Sequence, residues 1–269
     1  MLAFLGFRLA DLAVRLLPLP GARALARRIA RLAFALRVPA RARTLANFRR
    51  LMPDSPRAEL ETCSRAAFEH FALTFVDFLR LARLAPDEVS GEVEVRGRRH
   101  LDSARASGRG VIVLSVHAGN WEWGAAFLSA QGPRVHLAAR AHAQQNLEHW
   151  FAERRAAHRI TRLEDRPLWP AAARALRRRE WVAIMGDRVP PGERDSVCAW
   201  AAAVARRTGA VILPALMLRR PGGGYAACFE APLSPHECLA GGFRESVRRH
   251  LEAEPGQWLA FDPLPEGLA

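Results

Sequence analysis

The sequence predicts an α/β protein in which helices flank a mixed central sheet, preceded by N-terminal amphipathic helices. Short apolar runs rich in β-branched residues alternate with longer stretches of helical periodicity from about residue 93 onward. Two of these runs, at 111–116 and 181–185, lead directly into polar residues. The chain has 269 residues, half of them apolar, which is enough for a sizeable core.

The first 38 residues predict two helices rather than a membrane span or a signal peptide. Arg8, Asp11 and Arg15 interrupt the first apolar run, so no stretch of about 18 residues is free of charge, and no basic start or cleavage site is evident. In a second helix over 21–38, arginines and large apolar residues separate at helical spacing. This pattern predicts a helix on a membrane surface, with an ordinary amphipathic helix packed on the core as the alternative.

Residues 41–85 predict two helices separated by a turn at 53–56. The second helix carries a long apolar stripe, whose members are Leu60, Ala67, Phe68, Phe71, Phe75, Phe78 and Leu79. Such a stripe is usually core, but it is also suited to lining a channel for an acyl chain, and the two interpretations stay open. The stretch 86–109 is predicted to be a connector with one short strand at 93–95.

The stretch from 111 to 130 is the centre of the predicted site. An apolar strand at 111–116 precedes His117, a Gly119-Asn120 turn follows, and a helix over 121–130 carries Glu122. Positions five apart on a helix point about 140° away from each other, so His117 and Glu122 meet only if the turn separates strand from helix. Glu122 would then hold one imidazole nitrogen, and the other nitrogen could take a proton from a hydroxyl.

The remainder of the chain continues the alternation of strands and helices. A strand over 134–140 ends on Arg140, and a strand over 181–185 leads into Gly186-Asp187-Arg188. Side chains at the carboxyl ends of strands in an open α/β sheet are candidates for a site. The other predicted elements are helices at 146–159, 170–179, 196–208 and 243–252, strands at 209–214 and 225–229, and a turn at 221–224.

Composition limits the partners that this chain can take. The net charge is +13, and every one of the 40 basic residues is an arginine, which pairs bidentately with phosphate. Such a surface suits nucleic acid, an anionic membrane or an acidic protein. No RNA-binding signature, zinc finger or basic zipper is present, so no nucleic-acid partner is predicted.

The four cysteines predict neither a metal site nor a disulfide framework. Cys63, Cys198, Cys228 and Cys238 form no C-x-x-C pair and have no accompanying histidine cluster. We expect each to be a buried reduced thiol, as in a cytoplasmic compartment.

The segment Ser115-Val-His-Ala-Gly-Asn-Trp-Glu122 resembles the His-x4-Asp/Glu motif of glycerolipid-type acyltransferases. It is most similar to the version in the bacterial lipid A biosynthesis acyltransferase family, which includes the lauroyl and myristoyl transferases of the lysophospholipid acyltransferase superfamily. The resemblance runs from about residue 40 to 262, with weaker matches at 43–53, 97–104 and 209–214 and a good match at 255–261.

The resemblance implies an O-acyltransferase that moves a fatty acyl chain from an acyl thioester to a hydroxyl of a lipid or glycolipid, such as a lipid A precursor. His117 would be the general base, and Glu122 would orient it. The donor would be acyl-carrier protein or acyl-CoA, and no cofactor is implied. Substrate contacts are expected from Asn120, Arg140, Arg155, Asp187 and Arg188, with Arg154 as the neighbour of Arg155 that could take its part.

Roles within the site follow from the same resemblance. The oxyanion would be stabilised by Asn120, by backbone amides near Gly119, or by Arg140. A substrate phosphate would be held by Arg155 and Arg188. The implied location is the cytoplasmic face of the bacterial inner membrane, as a peripheral or monotopic protein. Residues 1–40 would be membrane-associating helices and 41–269 the acyltransferase domain.

Two alternatives remain open at the level of sequence, and a third, the phosphatidate-type acyltransferase, is disfavoured. Arg188 stands where relatives often carry Gln or His, and 189–195 is short and polar, so the acceptor could be a different glycolipid or a natural-product lipid. A phosphatidate-type acyltransferase would need a Phe-Pro-Glu-Gly block, and the Pro265-Glu-Gly267 near the C-terminus is a chance match. The other open alternative is a catalytically inactive membrane-surface protein.

Overall fold

The structure is a computed structural model that describes residues 2–163, 168–187, 197–237 and 239–262. The helices are α1 (Leu2–Leu16), α2 (Leu19–Ala35), α3 (Pro39–Leu51), α4 (Arg57–Leu81), α5 (Pro86–Gly91), α6 (Arg98–Ala106), α7 (Trp121–Ala130), α8 (Gln145–Ala156), α9 (Leu168–Arg177), α10 (Val197–Thr208) and α11 (Leu239–Leu251). The strands are β1 (Val93–Arg96), β2 (Val111–Ser115), β3 (Val135–Leu137), β4 (Ile160–Arg162), β5 (Trp181–Met185), β6 (Val211–Arg219) and β7 (Tyr225–Phe229). A 3₁₀ turn covers Pro255–Gln257.

The described strands form one seven-stranded sheet in the order β1-β7-β6-β2-β5-β3-β4. Neighbouring strands are parallel except for β6 and β7, which form an antiparallel pair. The sheet is therefore mixed, and it is flanked by helices, so the predicted fold class is confirmed.

The central strand β2 divides the core into two layers. Its side chains alternate between the two faces, with Ile112 and Leu114 packed among residues of α9, α10 and α11. Val111 and Val113 pack on the other face among residues of α5, α6 and α7. Because β2 is buried on both faces, it consists entirely of residues with little exposure, as a parallel strand inside an α/β sheet requires.

The predicted secondary structure missed two helices and one strand. It also misplaced the ends of two strands, since β3 covers Val135–Leu137 rather than 134–140 and β6 covers Val211–Arg219 rather than 209–214. The connector predicted over 86–109 contains α5 and α6 besides β1. Helix α6 buries only Leu101 and Ala104, so its apolar periodicity is too weak to stand out. Strand β4 has three residues and pairs only with β3 at the edge of the sheet, so it has no apolar run that would reveal it.

The N-terminal helices α1 and α2 pack against α4 with their apolar stripes facing outward. On α2, Arg23 turns inward to the buried carboxylate of Asp77. The exposed large apolar side chains of α1, of α2 and of the residues that follow each helix are Leu5, Leu9, Leu12, Leu16, Leu17, Leu25, Ile29, Leu32 and Leu36. None of the described helices combines the length and apolar character needed to cross a bilayer.

Candidate active site

His117 and Asp187 meet at the carboxyl ends of two adjacent parallel strands. The last residues of β2 and β5, Ser115 and Met185, are paired in register, and each polar residue follows its strand by two positions. The Nδ1 atom of His117 lies 2.8 Å from Oδ1 of Asp187. A carboxylate only accepts, so the proton sits on Nδ1, and Nε2 is left with a lone pair.

Asp187 is held in place by three donors. Besides the imidazole, its Oδ2 accepts from the backbone amide of His117 at 2.9 Å and from the indole Nε1 of Trp258 at 3.0 Å. Burial by itself would raise the pKa of this carboxyl group, but the imidazole and the hydrogen bonds from His117 and Trp258 outweigh burial and lower the pKa. Asp187 is therefore a fixed, charged partner of His117.

The C-terminal segment around Trp258 fastens the loop that carries His117. The carbonyl of His117 accepts from the amide of Leu259 at 2.7 Å, and the carbonyl of Gln257 accepts from the amide of Gly119 at 3.0 Å. The side-chain amide of Gln257 in turn bonds both backbone groups of Arg219 in β6. The closing Gln-Trp motif in the sequence thus serves to position the histidine.

Glu122 does not hold His117, and this corrects the geometry expected from sequence. Both of its carboxylate oxygens face Arg155, at 3.1 Å from Nε and 2.5 Å from Nη2. The two side chains are 7% and 10% exposed, so this is a buried bidentate ion pair. Burial opposes the charge of Arg155, but Glu122 outweighs it and raises the pKa of the guanidinium group. The pair forms part of the cavity wall beside the imidazole.

Asn120 and the neighbouring amides are not free to bind an oxyanion, contrary to expectation. Asn120 is fully buried, accepts from the amide of Trp123 at 3.0 Å as the N-cap of α7, and donates to the Tyr225 hydroxyl at 2.8 Å. The amides of Gly119 and Asn120 donate to the carbonyls of Gln257 and Met217. Gly119 has a φ of +57°, and a Cβ there would lie 2.0 Å from the Met217 carbonyl oxygen, so only glycine fits this turn.

The remaining predicted arginines lie in different environments. Arg140 is exposed, lines the same cavity as His117 and has no hydrogen-bond partner among the described residues. Arg154 lies outside this cavity, pairs with Asp11 at 2.9 Å and lies over the ring of Trp150. Of the adjacent pair, Arg155 rather than Arg154 thus lines the cavity. Arg188 falls outside the described residues.

A cavity of about 760 Å³ opens beside His117. One part of its wall is polar, with His117, Glu122, Arg140, His142 and Arg155. The other part is aromatic, formed by Phe7 of α1, Phe71, Phe75 and Phe78 of α4, and Phe151 of α8. The apolar stripe of α4 is therefore divided between this cavity wall and the core, because Leu60, Ala67, Phe68 and Leu79 are buried in the core.

His142 is a further residue in the cavity that the sequence did not single out. Its Nδ1 lies 2.8 Å from Oε2 of Glu148, and its ring stacks on Phe151 with centroids 4.3 Å apart. The other oxygen of Glu148 accepts from Arg162 at 2.6 Å. Burial opposes the charge, but the hydrogen bonds from His142 and Arg162 lower the pKa of Glu148 to about 2. The only sequence signal was a histidine shortly after Arg140, where the sequence predicted a strand to end, whereas β3 ends at Leu137.

The cysteines fit the core as predicted where the structure describes them. Cys63, Cys198 and Cys228 are buried, and burial raises the pKa of the Cys228 thiol to about 11. Cys238 lies outside the described residues.

Comparison with known proteins identifies the family of the chain. A family model described as bacterial lipid A biosynthesis acyltransferase matches residues 1–264. No curated protein matches the chain. Since the family match covers nearly all of the 269 residues, the chain belongs to the bacterial lipid A biosynthesis acyltransferase family.

Proposed function

We propose that this acyltransferase transfers a fatty acyl chain from an acyl thioester to a hydroxyl of a lipid or glycolipid, with His117 as general base and Asp187 as its orienting partner. The observation that carries the proposal is the 2.8 Å contact between His117 Nδ1 and Asp187 Oδ1 at the rim of the aromatic cavity. Asp187 takes the orienting role that sequence reasoning gave to Glu122, and Glu122 with Arg155 shapes the wall.

The reaction needs no nucleophile from the protein. His117 Nε2 accepts the proton of the acceptor hydroxyl as its oxygen attacks the thioester carbonyl carbon. The tetrahedral intermediate collapses with cleavage of the carbon–sulfur bond, and the imidazolium returns its proton to the departing thiolate. The products are an ester and a free thiol. Asp187 stabilises the imidazolium throughout, because its carboxylate remains charged and in contact with Nδ1.

Positive groups at the cavity wall supply the charge stabilisation. Arg140 is the free cation beside His117 among the described residues, so we assign it to the oxyanion or to a phosphate of the substrate. His142 is a second candidate for binding phosphate, because its ring lies in the same wall and its Nδ1 is held by Glu148 at 2.8 Å. Arg155 is less suited, since both of its bonded nitrogens face Glu122.

The acyl chain is assigned to the aromatic side of the cavity. Phe7 contacts both Phe75 and Phe151, with ring centroids 5.1 Å apart for Phe7 and Phe75 and 5.9 Å apart for Phe7 and Phe151. An apolar wall next to convergent polar groups is the usual form of a site for an amphiphilic ligand. Because Phe7 belongs to α1, the segment 1–40 contributes to this site besides its proposed membrane role.

The outward apolar faces of α1 and α2 support docking on the membrane surface. Nine large apolar side chains between residues 5 and 36 are exposed, and exposed apolar residues that gather on one surface mark sites of membrane interaction. Arginine on the same helices favours anionic lipid. We place the protein on the cytoplasmic face of the inner membrane, where acyl-carrier protein and acyl-CoA occur. The net charge of +13 suits an acidic carrier protein.

Lipid mass spectrometry in a strain that lacks the protein tests the function. Wild type should restore one lipid that is heavier by an acyl chain, and H117Q should not, whereas H100Q should restore it, because His100 lies outside the described cavity beside His117. The mass names the chain, and the lipid class separates a lipid A precursor from another glycolipid. Equal restoration by H117Q would refute the role of His117, and the absence of any gained acyl chain would favour the non-enzymatic alternative.

A further inference from the structure

The contact between α2 and α4 contains a row of three arginines, of which only the outer two meet a carboxylate. The two helices are antiparallel here, so that Arg23 pairs with Asp77 at 2.8 Å and Arg31 pairs with Glu69 at 2.8 Å. Arg27 lies midway between them on the same face of α2. Opposite the middle position α4 offers His70 and Leu73 instead of an acid.

A separate cavity of about 420 Å³ opens at this unmatched position. Four arginines from α2, α4 and the end of β6 line it together with His70, and none of these residues lines the cavity beside His117. The arginines are Arg27, Arg65, Arg219 and Arg220.

The carboxylates nearby leave part of this positive charge unmatched. Glu69 uses both oxygens on Arg31, and Glu254 accepts from the side-chain amide of Gln257. Arg219 is bound to Asp77 at 2.6 Å and Arg220 to Glu94 at 3.1 Å. Arg27 and Arg65 have no hydrogen-bond or ion-pair partner among the described residues, and Glu254 is the one carboxylate of the cavity wall that is not bound to an arginine.

Unpaired polar nitrogens line the same cavity. The buried Nδ1 of His70 and the buried Nε of Arg220 both lack a hydrogen-bond partner in the described part of the chain. Buried polar atoms are rarely left unpaired, and the Nε of Arg220, which can only donate, indicates a missing acceptor. Burial and the charge of Arg219 lower the pKa of His70 to about 4, and a nearby anion would oppose that effect.

We propose that this cavity is a second ligand site that binds a phosphate group between Arg27 and Arg65. Guanidinium groups bind phosphate oxygens bidentately, and Arg220 with His70 can complete the set of donors after small side-chain rotations. The phosphate can belong to a soluble phosphate ester or to the headgroup of an anionic phospholipid. The lipid source would fit the position of Arg27 on α2, whose opposite face carries the exposed apolar stripe.

Isothermal titration with glycerol 3-phosphate and flotation with vesicles test the two sources on the full-length protein. The variant R27Q/R65Q removes the unmatched charges, and R28Q/R49Q removes two exposed arginines that do not line the cavity. Ionic strength is held constant, because exposed charges are screened by salt.

For a soluble ester, wild type and R28Q/R49Q should bind glycerol 3-phosphate with one site, and R27Q/R65Q should bind at least about tenfold more weakly. For a lipid headgroup, R27Q/R65Q should lose flotation with phosphatidylglycerol vesicles relative to R28Q/R49Q, while both should behave alike with phosphatidylcholine vesicles. Equal behaviour of the two double variants with both probes would overturn the proposal.

The single variant R65Q guards against misfolding, because Arg65 is exposed and makes no ion pair within the described residues. R65Q should lose part of the phosphate binding that R27Q/R65Q loses, and its midpoint of thermal unfolding should be unchanged. Normal binding by R65Q with weak binding by a destabilised R27Q/R65Q would also overturn the proposal. Acyl transfer in detergent is measured in parallel, so that failure here is distinguishable from failure of the function assigned to His117.

Discussion

His117 and Asp187 are 70 residues apart in the chain, yet Nδ1 of one lies 2.8 Å from Oδ1 of the other. The contact exists because β2 and β5 are parallel neighbours in register, so both chains leave the sheet at the same edge. Trp258 adds a third segment, since its indole donates to the same carboxylate. The catalytic geometry that we propose is thus set by the order of strands in the sheet.

Substitution of Asp187 should lower turnover with little effect on substrate binding. We expect D187N to reduce kcat by about a hundredfold or more, because an amide no longer stabilises the imidazolium and can fix the wrong tautomer. The measurement is steady-state acyl transfer from acyl-CoA or acyl-carrier protein over a range of pH. Its matched control is D102N, which changes an exposed aspartate on α6. A D187N enzyme with near-normal kcat would contradict the orienting role.

Sequence reasoning identified His117 and the turn after it but chose a local carboxylate as partner. Glu122 is five positions from His117 and was the natural choice. The actual partner of Glu122 is Arg155, which lies 33 positions further along the chain. Ion pairs and strand pairings between residues so far apart in the chain cannot be recognised from the spacing of residues in a single sequence. The fold class, by contrast, follows from local periodicity, which is why the bounds of α7 and β7 agree with those predicted.

The same contrast explains Asn120 and Trp258. Asn120 was expected to contact the substrate, but the hydroxyl of Tyr225 and the first turn of α7 use its donor and acceptor groups. The closing Gln-Trp motif was visible in the sequence as a resemblance, without a reason for it. Its reason is tertiary, because Trp258 reaches Asp187 and Gln257 reaches β6.

The Glu122–Arg155 pair should behave as a structural unit. Removal of one partner leaves a buried charge unpaired, so E122A should reduce the free energy of unfolding by about 3–5 kcal/mol. The double variant E122L/R155M should recover much of this loss, because apolar side chains of similar volume fill the site without a charge. Urea unfolding of both variants and of R155M measures the recovery.

The activity of these variants shows whether Glu122 only shapes the cavity wall or also orients the general base His117. If Glu122 only shapes the cavity, the kcat of E122L/R155M should follow the folded fraction, and its pH–rate profile should keep the wild-type limbs. If the folded double variant shows a shifted limb in its pH–rate profile, Glu122 does orient His117. D187N serves as the comparison in which a change of the profile is expected.

Asn120 should contribute to stability rather than to charge stabilisation during the reaction. N120A removes the N-cap of α7 and the donor to Tyr225, so we expect a loss of about 1–2 kcal/mol in the free energy of unfolding. N120S keeps a cap acceptor and should lose less. The measurements are chemical unfolding of both variants and kcat per folded molecule. If kcat instead falls a hundredfold in folded N120S, Asn120 has a role at the oxyanion.

Glu148 should make stability depend on pH in the acid range. Its folded-state pKa of about 2 lies below the value of about 4.3 for an unfolded glutamate, so the unfolded chain binds more protons between these values. The contribution of Glu148 is therefore complete above about pH 5 and is lost as the pH falls toward about 2.

E148Q should be less stable than wild type near neutrality, and the difference should shrink on acidification. Urea unfolding of wild type, E148Q and E153Q at several pH values measures this, with Glu153 as the exposed control on the same helix. A difference between E148Q and wild type that stays constant with pH would show that the His142–Glu148–Arg162 contacts do not carry the effect.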